Sequence, residues 1–194
     1  MQPESMIPPA ARRRRMLQAG AVLAFGFGFG IGLGLPALAQ EQASPPSLLV
    51  LDFDLIDDHP EPAQAEDMKA RLASMPIVFA EGVAAAGLYR VIDLEPVRPL
   101  QARFLAQQQY LHRCAACQIE LGRAAGAQWV ASGWVYKVSN LILYLNVLIR
   151  DVASGEERLM KSVSIRGNND RSWERGLRYL VRDLAEEAAP KQGA

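Results

Sequence analysis

The chain has 194 residues with 21 basic and 21 acidic side chains, two histidines and two cysteines. Four arginines and one glutamate fall within residues 1–39, so the remaining 155 residues carry 17 basic and 20 acidic groups and a formal charge near −3. Nothing in that balance suggests the surface with which a nucleic-acid binder neutralises phosphates, and the length suits one domain with a sizeable core.

The elements begin with an export signal. Arg12, Arg13, Arg14 and Arg15 precede the apolar run Ala19 to Leu35, which closes on Ala37-Leu38-Ala39 before Gln40, the pattern of a signal peptidase site between Ala39 and Gln40. Arg13-Arg14-Arg15-Met16-Leu17-Gln18 fits a twin-arginine (Tat) pattern. Glycines alternating through Phe25 to Gly32 weaken the segment as a helix, which suits such a leader better than a membrane anchor. A Sec leader with an arginine-rich start and an uncleaved anchor are the alternatives. The chain is therefore expected as signal peptide 1–39, flexible tether 40–47, α/β domain 48–189 and disordered tail 190–194, working in a bacterial periplasm. After cleavage it has no expected membrane contact.

Ser47 to Ile56 begins as a continuous apolar run and then alternates, the signature of a central first strand, which leads into a loop at Asp57-Asp58-His59-Pro60. Asp52 and Asp54 share one face of it, either as an exposed strand end or as a carboxylate pair for acid/base work. Ala63 to Ala86 reads as a helix with Met68, Leu72, Val78, Phe79 and Val83 facing the core and Gly87 as its stop. Pro76 should kink or restart that helix, with Ser74 capping the second piece. Leu88 to Leu94 is the second strand, Val97 to Gln109 a polar helix, and Gln118 to Ala125 a short helix ended by Gly126. Gln128 to Val138, Leu141 to Asp151 and Glu157 to Arg166 form an antiparallel meander, joined by turns at Ser139-Asn140 and Ser154-Gly155. Trp173, Leu177, Leu180, Val181, Leu184 and Ala188 recur at helical spacing, giving an amphipathic last helix with an arginine-rich outer face.

Two right-handed crossovers followed by a meander predict an α/β three-layer domain. Its mixed five-stranded sheet has order 2-1-3-4-5, strand 4 antiparallel and helices on both faces. The outline of an apolar strand, a helix, Leu88 to Asp93, Gly126 to Gly133, a hairpin and Arg150 to Gly155 resembles the N-terminal domain of the TolB family of Tol-Pal proteins. Lys137 to Leu143 and Ile165 to Trp173 look like an uncharacterised family of small exported bacterial proteins. These resemblances imply a fold and bring no catalytic motif.

Cys114-Ala115-Ala116-Cys117 is the strongest chemical constellation. In an oxidising compartment the pair is expected as a disulfide, structural or redox-active. A c-type haem site fails because Gln118 stands where a histidine must follow the second cysteine. A metal site would draw on His112, Cys114 and Cys117 and would need a fourth ligand from elsewhere. No cofactor is expected. Two histidines, both in loops, argue against a Ser-His-Asp set, and no glycine loop has nucleotide-binding spacing.

Under the expected topology one sheet edge collects Asp57, Asp58 and His59, then Asp93, then Ser139 and Asn140, then Arg166, Asn168, Asn169 and Arg171. Ligands of open α/β sheets sit at such an edge, although turn and capping chemistry accounts for the same residues. The sequence therefore favours a non-catalytic accessory module that engages another periplasmic or envelope protein through the edge or the meander. The alternative is a thiol-redox or metal-handling protein using Cys114 and Cys117.

Overall fold

The computed structural model describes residues 44–188. The arginine-headed leader, the Ala39/Gln40 cleavage pair and the tail at 190–194 lie outside the described residues. The elements in chain order are β1 (Ser47–Val50), β2 (Asp54–Asp57), α1 (Ala65–Ala85), β3 (Arg90–Ile92), α2 (Arg98–Leu105), α3 (Ala115–Ala124), β4 (Trp129–Lys137), β5 (Ile142–Asp151), β6 (Glu157–Arg166) and α4 (Asp170–Ala188). The sheet runs β3-β1-β4-β5-β6, with β2 also paired to β4. β1 is parallel to β3 and to β4, whereas β5 is antiparallel to both of its neighbours. This is the mixed α/β sheet expected from the sequence.

The expected first strand is two strands. Val50 is level with Ala131 and Asp54 with Trp134, so four steps on one chain match three on its neighbour. One extra residue is absorbed at Leu51 to Phe53, a bulge within a parallel pairing. The Leu51 N–H still donates to the Ala131 carbonyl at 2.9 Å, and Phe53 lays its ring across Gly133. A Cβ on Gly133 would lie 2.3 Å from that ring, so only glycine fits there.

α1 and α4 cover one face of the sheet. Met75, Phe79 and Val83 from α1, with Trp173, Leu177 and Leu180 from α4, bury against Leu48, Val50, Val135, Leu145 and Val147. α1 runs unbroken through Pro76. The Ser74 hydroxyl donates back to the Arg71 carbonyl at 2.7 Å instead of capping a second helix. Met75 and Phe79, both buried on the sheet, hold the two sides of the proline in one line. α2 and α3 cover part of the other face, where Val97, Leu111, Cys117 and Leu121 pack on Leu49, Leu51, Val130 and Val152. β1 is thus buried on both sides, as its unbroken apolar run requires.

That second layer stops short. Beyond α3 the far halves of β4, β5 and β6 carry no helix on this face; Tyr144 there is 38% exposed, and Met160, level with Ser132 nearer the middle of the sheet, is 59% exposed. No helix of the described residues is long and apolar enough to cross a membrane.

Candidate functional site

Most of the expected edge residues do meet, and they are held by one another. Asp57 at the end of β2 pairs with the buried Lys137 at the end of β4, Nζ lying 2.9 and 3.0 Å from the two carboxylate oxygens. The same ammonium donates to the His59 carbonyl at 2.8 Å, so all three of its hydrogens are used. Asp58 accepts from the Tyr136 hydroxyl at 2.6 Å. That hydrogen bond, which only the neutral phenol can donate, leads the causes that raise the Tyr136 pKa above 10.0.

Asn168 joins the other half of the edge. Its amide donates to Gln64 at 3.1 Å and to Asn140 at 3.3 Å, while its carbonyl accepts from the Trp173 indole at 3.0 Å and Arg71 at 3.4 Å. Asn140 donates in turn to Glu61 at 2.7 Å. Asn169 accepts from the Ser172 N–H at 3.0 Å and so starts α4. Ser139 closes its own turn on Leu141 and Ile142. These polar groups spend their hydrogen bonds on tying the β2, β4–β5 and β6–α4 connections to α1. Arg166 and Arg171 stand apart from this network, each without an ion-paired or hydrogen-bonded partner among the described residues.

Asp93 is not at this edge. β3 is level with β1, whose last residue paired to it, Leu49, faces Ile92, so Asp93 falls about six residues short of Asp57 along the sheet. At roughly 3.3 Å per residue that is about 20 Å. Its carboxylate accepts instead from the Glu95 N–H at 3.1 Å and closes a local turn. The mismatch arises because β3 pairs with the start of β1 and ends at Ile92, whereas the edge forms at the far end of β2.

The cysteine segment is a second centre. Cys114 and Cys117 form a disulfide with Cα atoms 5.2 Å apart. Cys114 caps α3, its sulfur accepting from the Cys117 N–H at 3.2 Å, and remains partly exposed while Cys117 is buried. His112 is turned away from the sulfurs toward Asp54, with Nδ1 2.7 Å from a carboxylate oxygen and the backbone N–H 2.9 Å from the same atom. Its ring stacks on Trp134 at 4.5 Å. Asp54 is therefore a buried anchor for the His112 turn, while Asp52 lies beside Arg98 and Gln101. Among the described residues no three His, Cys, Asp or Glu side chains converge as a metal site would require.

The surface that sequence reasoning did not single out is the uncovered face of the meander. Ile56, Asp58, Arg113, Trp134, Tyr136, Tyr144, Asn146 and Ser162 line a shallow groove of about 420 Å³. Tyr136 and Tyr144 stack across β4 and β5 at 6.4 Å, and Tyr110 continues the aromatic row through His112 under the guanidinium of Arg113. The signal in the sequence was the run of aromatic residues at alternate positions Trp134 and Tyr136, with Tyr144 opposite. Alternation alone did not say that the helix layer would leave them open.

A sequence model described as "Protein of unknown function (DUF2380)" matches residues 46–184, nearly the whole of the described domain. The chain belongs to this family, DUF3280. No curated protein matches it. Among solved structures it is similar to lipoprotein GNA1162 from Neisseria meningitidis, at 19% identity and a TM-score of 0.47, over 77% of this chain and 100% of that one. The C-terminal domain of LpoB from Escherichia coli aligns at 16% identity and a TM-score of 0.42, over 66% of this chain and 88% of that one. TolB from Acinetobacter baumannii aligns at 11% identity and a TM-score of 0.44, over 75% of this chain but 29% of its own length.

Proposed function

We propose that the protein is a non-catalytic accessory module of the bacterial periplasm that binds another exported or envelope protein through the open face of its meander. The observation that carries this reading is the aromatic groove around Tyr136 and Tyr144, left uncovered where the second helix layer ends. Tyr, Trp, Met and Arg are the residues enriched in protein interfaces, and Tyr136, Tyr144, Trp134, Met160 and Arg113 all lie on or beside this face. The polar edge, Arg166 and Arg171 apart, has by contrast satisfied its own groups and offers a partner little unspent hydrogen bonding. Twin-arginine export followed by signal cleavage would deliver the folded domain to that compartment.

The test is capture from periplasmic extract by the wild-type chain and by a Tyr136→Ala/Tyr144→Ala/Met160→Ala variant. A partner held by the first and released by the second supports the reading. Retention of no partner by either overturns it.

A second reading, thiol exchange, is favoured by one observation: Cys114 is the accessible sulfur and sits at the N-terminus of α3, where a thiolate is stabilised. Replacing both cysteines with serine separates the two. If partner capture persists in that variant and no dithiol substrate is oxidised by the wild type, the thiol reading fails.

A further inference from the structure

We infer that β6 is a docking edge for an extended, acidic segment of a partner protein, taken up as an added strand. The inference rests on the binding-module reading and names the partner's chemistry at a different surface.

β6 spans ten residues, contains neither proline nor glycine, and pairs only with β5 among the described residues. The Gly167 N–H donates to the Leu141 carbonyl at 3.1 Å. Antiparallel alternation then turns the backbone groups of Val163 and Ile165 toward β5 and those of Met160, Ser162, Ser164 and Arg166 outward. Natural sheets blunt such edges with lysines, prolines or bulges. Here the bulge lies at the opposite end, beside Arg150. The lysine of the strand, Lys161, is drawn under α4 by Asp183 and Glu187 at 2.9 and 2.7 Å. The stretch from Ser162 to Ile165 is left unguarded.

Beside that stretch runs a groove of about 450 Å³, floored by Val163, Ile165 and Gly176 and rimmed by Tyr179 and Arg175. Gly176 lets α4 approach closely, since a Cβ there would lie 2.8 Å from Ile165. Strand addition needs free backbone groups together with pockets for alternate side chains, and both are present here.

Charge selects the occupant. Arg166 flanks the edge from the open face, and Arg171 and Arg175 flank it from α4. None of the three has an acidic partner among the described residues, whereas nearby Glu174 is already paired with Arg178. Guanidinium groups so placed favour carboxylates. A second copy of this chain fits poorly. Antiparallel pairing about Lys161 would bring Asp183 and Glu187 of both copies together.

The test uses the full chain and two synthetic nine-residue peptides with valine at alternate positions and either aspartate or lysine between. The aspartate peptide should slow hydrogen exchange at the Ser162, Ser164 and Arg166 amides, and the lysine peptide should not. Arg166→Glu/Arg175→Glu, both changes on the surface, should weaken the aspartate peptide at least tenfold by fluorescence anisotropy. Protection elsewhere or nowhere, or unchanged affinity in the variant, overturns the inference. If a partner captured from extract is lost on substituting Tyr136 and Tyr144 yet keeps its affinity for the Arg166/Arg175 variant, the edge inference fails while the module reading stands.

Discussion

Replacing Lys137 with methionine should cost the domain about 3 to 5 kcal/mol. Lys137 is 1% exposed and its ammonium is satisfied by Asp57 and the His59 carbonyl alone. Methionine keeps the volume but leaves the Asp57 carboxylate, 13% exposed, with no countercharge. The little solvent Asp57 retains places the cost at the lower end of that range. A domain of this size loses roughly 2–4 °C of melting temperature per kcal/mol, so a drop of about 6–15 °C is expected in thermal unfolding followed by circular dichroism. Lys137→Met/Asp57→Leu removes both charges and should recover most of the loss, since an apolar pair of similar volume often equals or exceeds a buried ion pair. The double-mutant cycle should therefore show strong coupling. A single-variant cost below about 1 kcal/mol, or a double variant as unstable as the sum of the singles, refutes this account of the edge.

Gly133→Ala forces the Phe53 ring off the strand and should destabilise by about 1–3 kcal/mol in urea unfolding. Asp58→Asn takes away the charged acceptor that raises the Tyr136 pKa, so absorbance titration at alkaline pH should show Tyr136 ionising earlier in the variant. Lys161 is pushed up to about 12, first by its hydrogen bond to Glu187 and then by Asp183. A raised cation stabilises fully below its unfolded value of 10.5 and loses that contribution as pH climbs toward 12, so the melting temperature should fall more steeply across that window in the wild type than in Lys161→Met. Reducing the Cys114–Cys117 bridge opens a very small ring and should cost no more than about 2 kcal/mol by chain entropy, leaving the domain folded at room temperature.

The meander and the last helix were legible because their periods are clean. β6 runs from Glu157 to Arg166, as its flanking turn and alternation indicate, and α4 buries Trp173, Leu177, Leu180 and Leu184 at the expected spacing. The strand order followed from connection rules that depend on element type rather than on individual residues. What escaped was information carried between distant segments. A single extra residue between Val50 and Asp54 has no compositional mark, yet it divides the first strand, and nothing within Leu88 to Leu94 records that its pairing ends level with Leu49 and leaves Asp93 short of the edge. Lys137 reads locally as a charged strand end, and its burial depends on Asp57, 80 positions away. Which half of a sheet face stays bare depends on where α3 ends against β4, and no periodicity within β4 or β5 records that. Of the candidate site, the edge residues were found but their mutual satisfaction was not, because it runs through Arg71, Gln64 and Glu61 on the α1 side.

The extra residue ahead of Asp54 acts as a phase adaptor. With it, Asp54 and Ile56 point to the side of His112 and Tyr136, and Leu55 and Asp57 to the side of α1. Were the same residues drawn out as one regular strand without the bulge, the two sets would exchange throughout β2, setting Asp54 against the apolar core and stripping Lys137 of its counterion at one stroke, whereas deleting one residue from Leu51 to Phe53 would leave Asp54 level with Trp134. A residue inserted in this three-residue stretch should therefore be far less tolerated than one inserted in the Ser154-Gly155 turn, while a single deletion here should keep the pairing of β2 with β4.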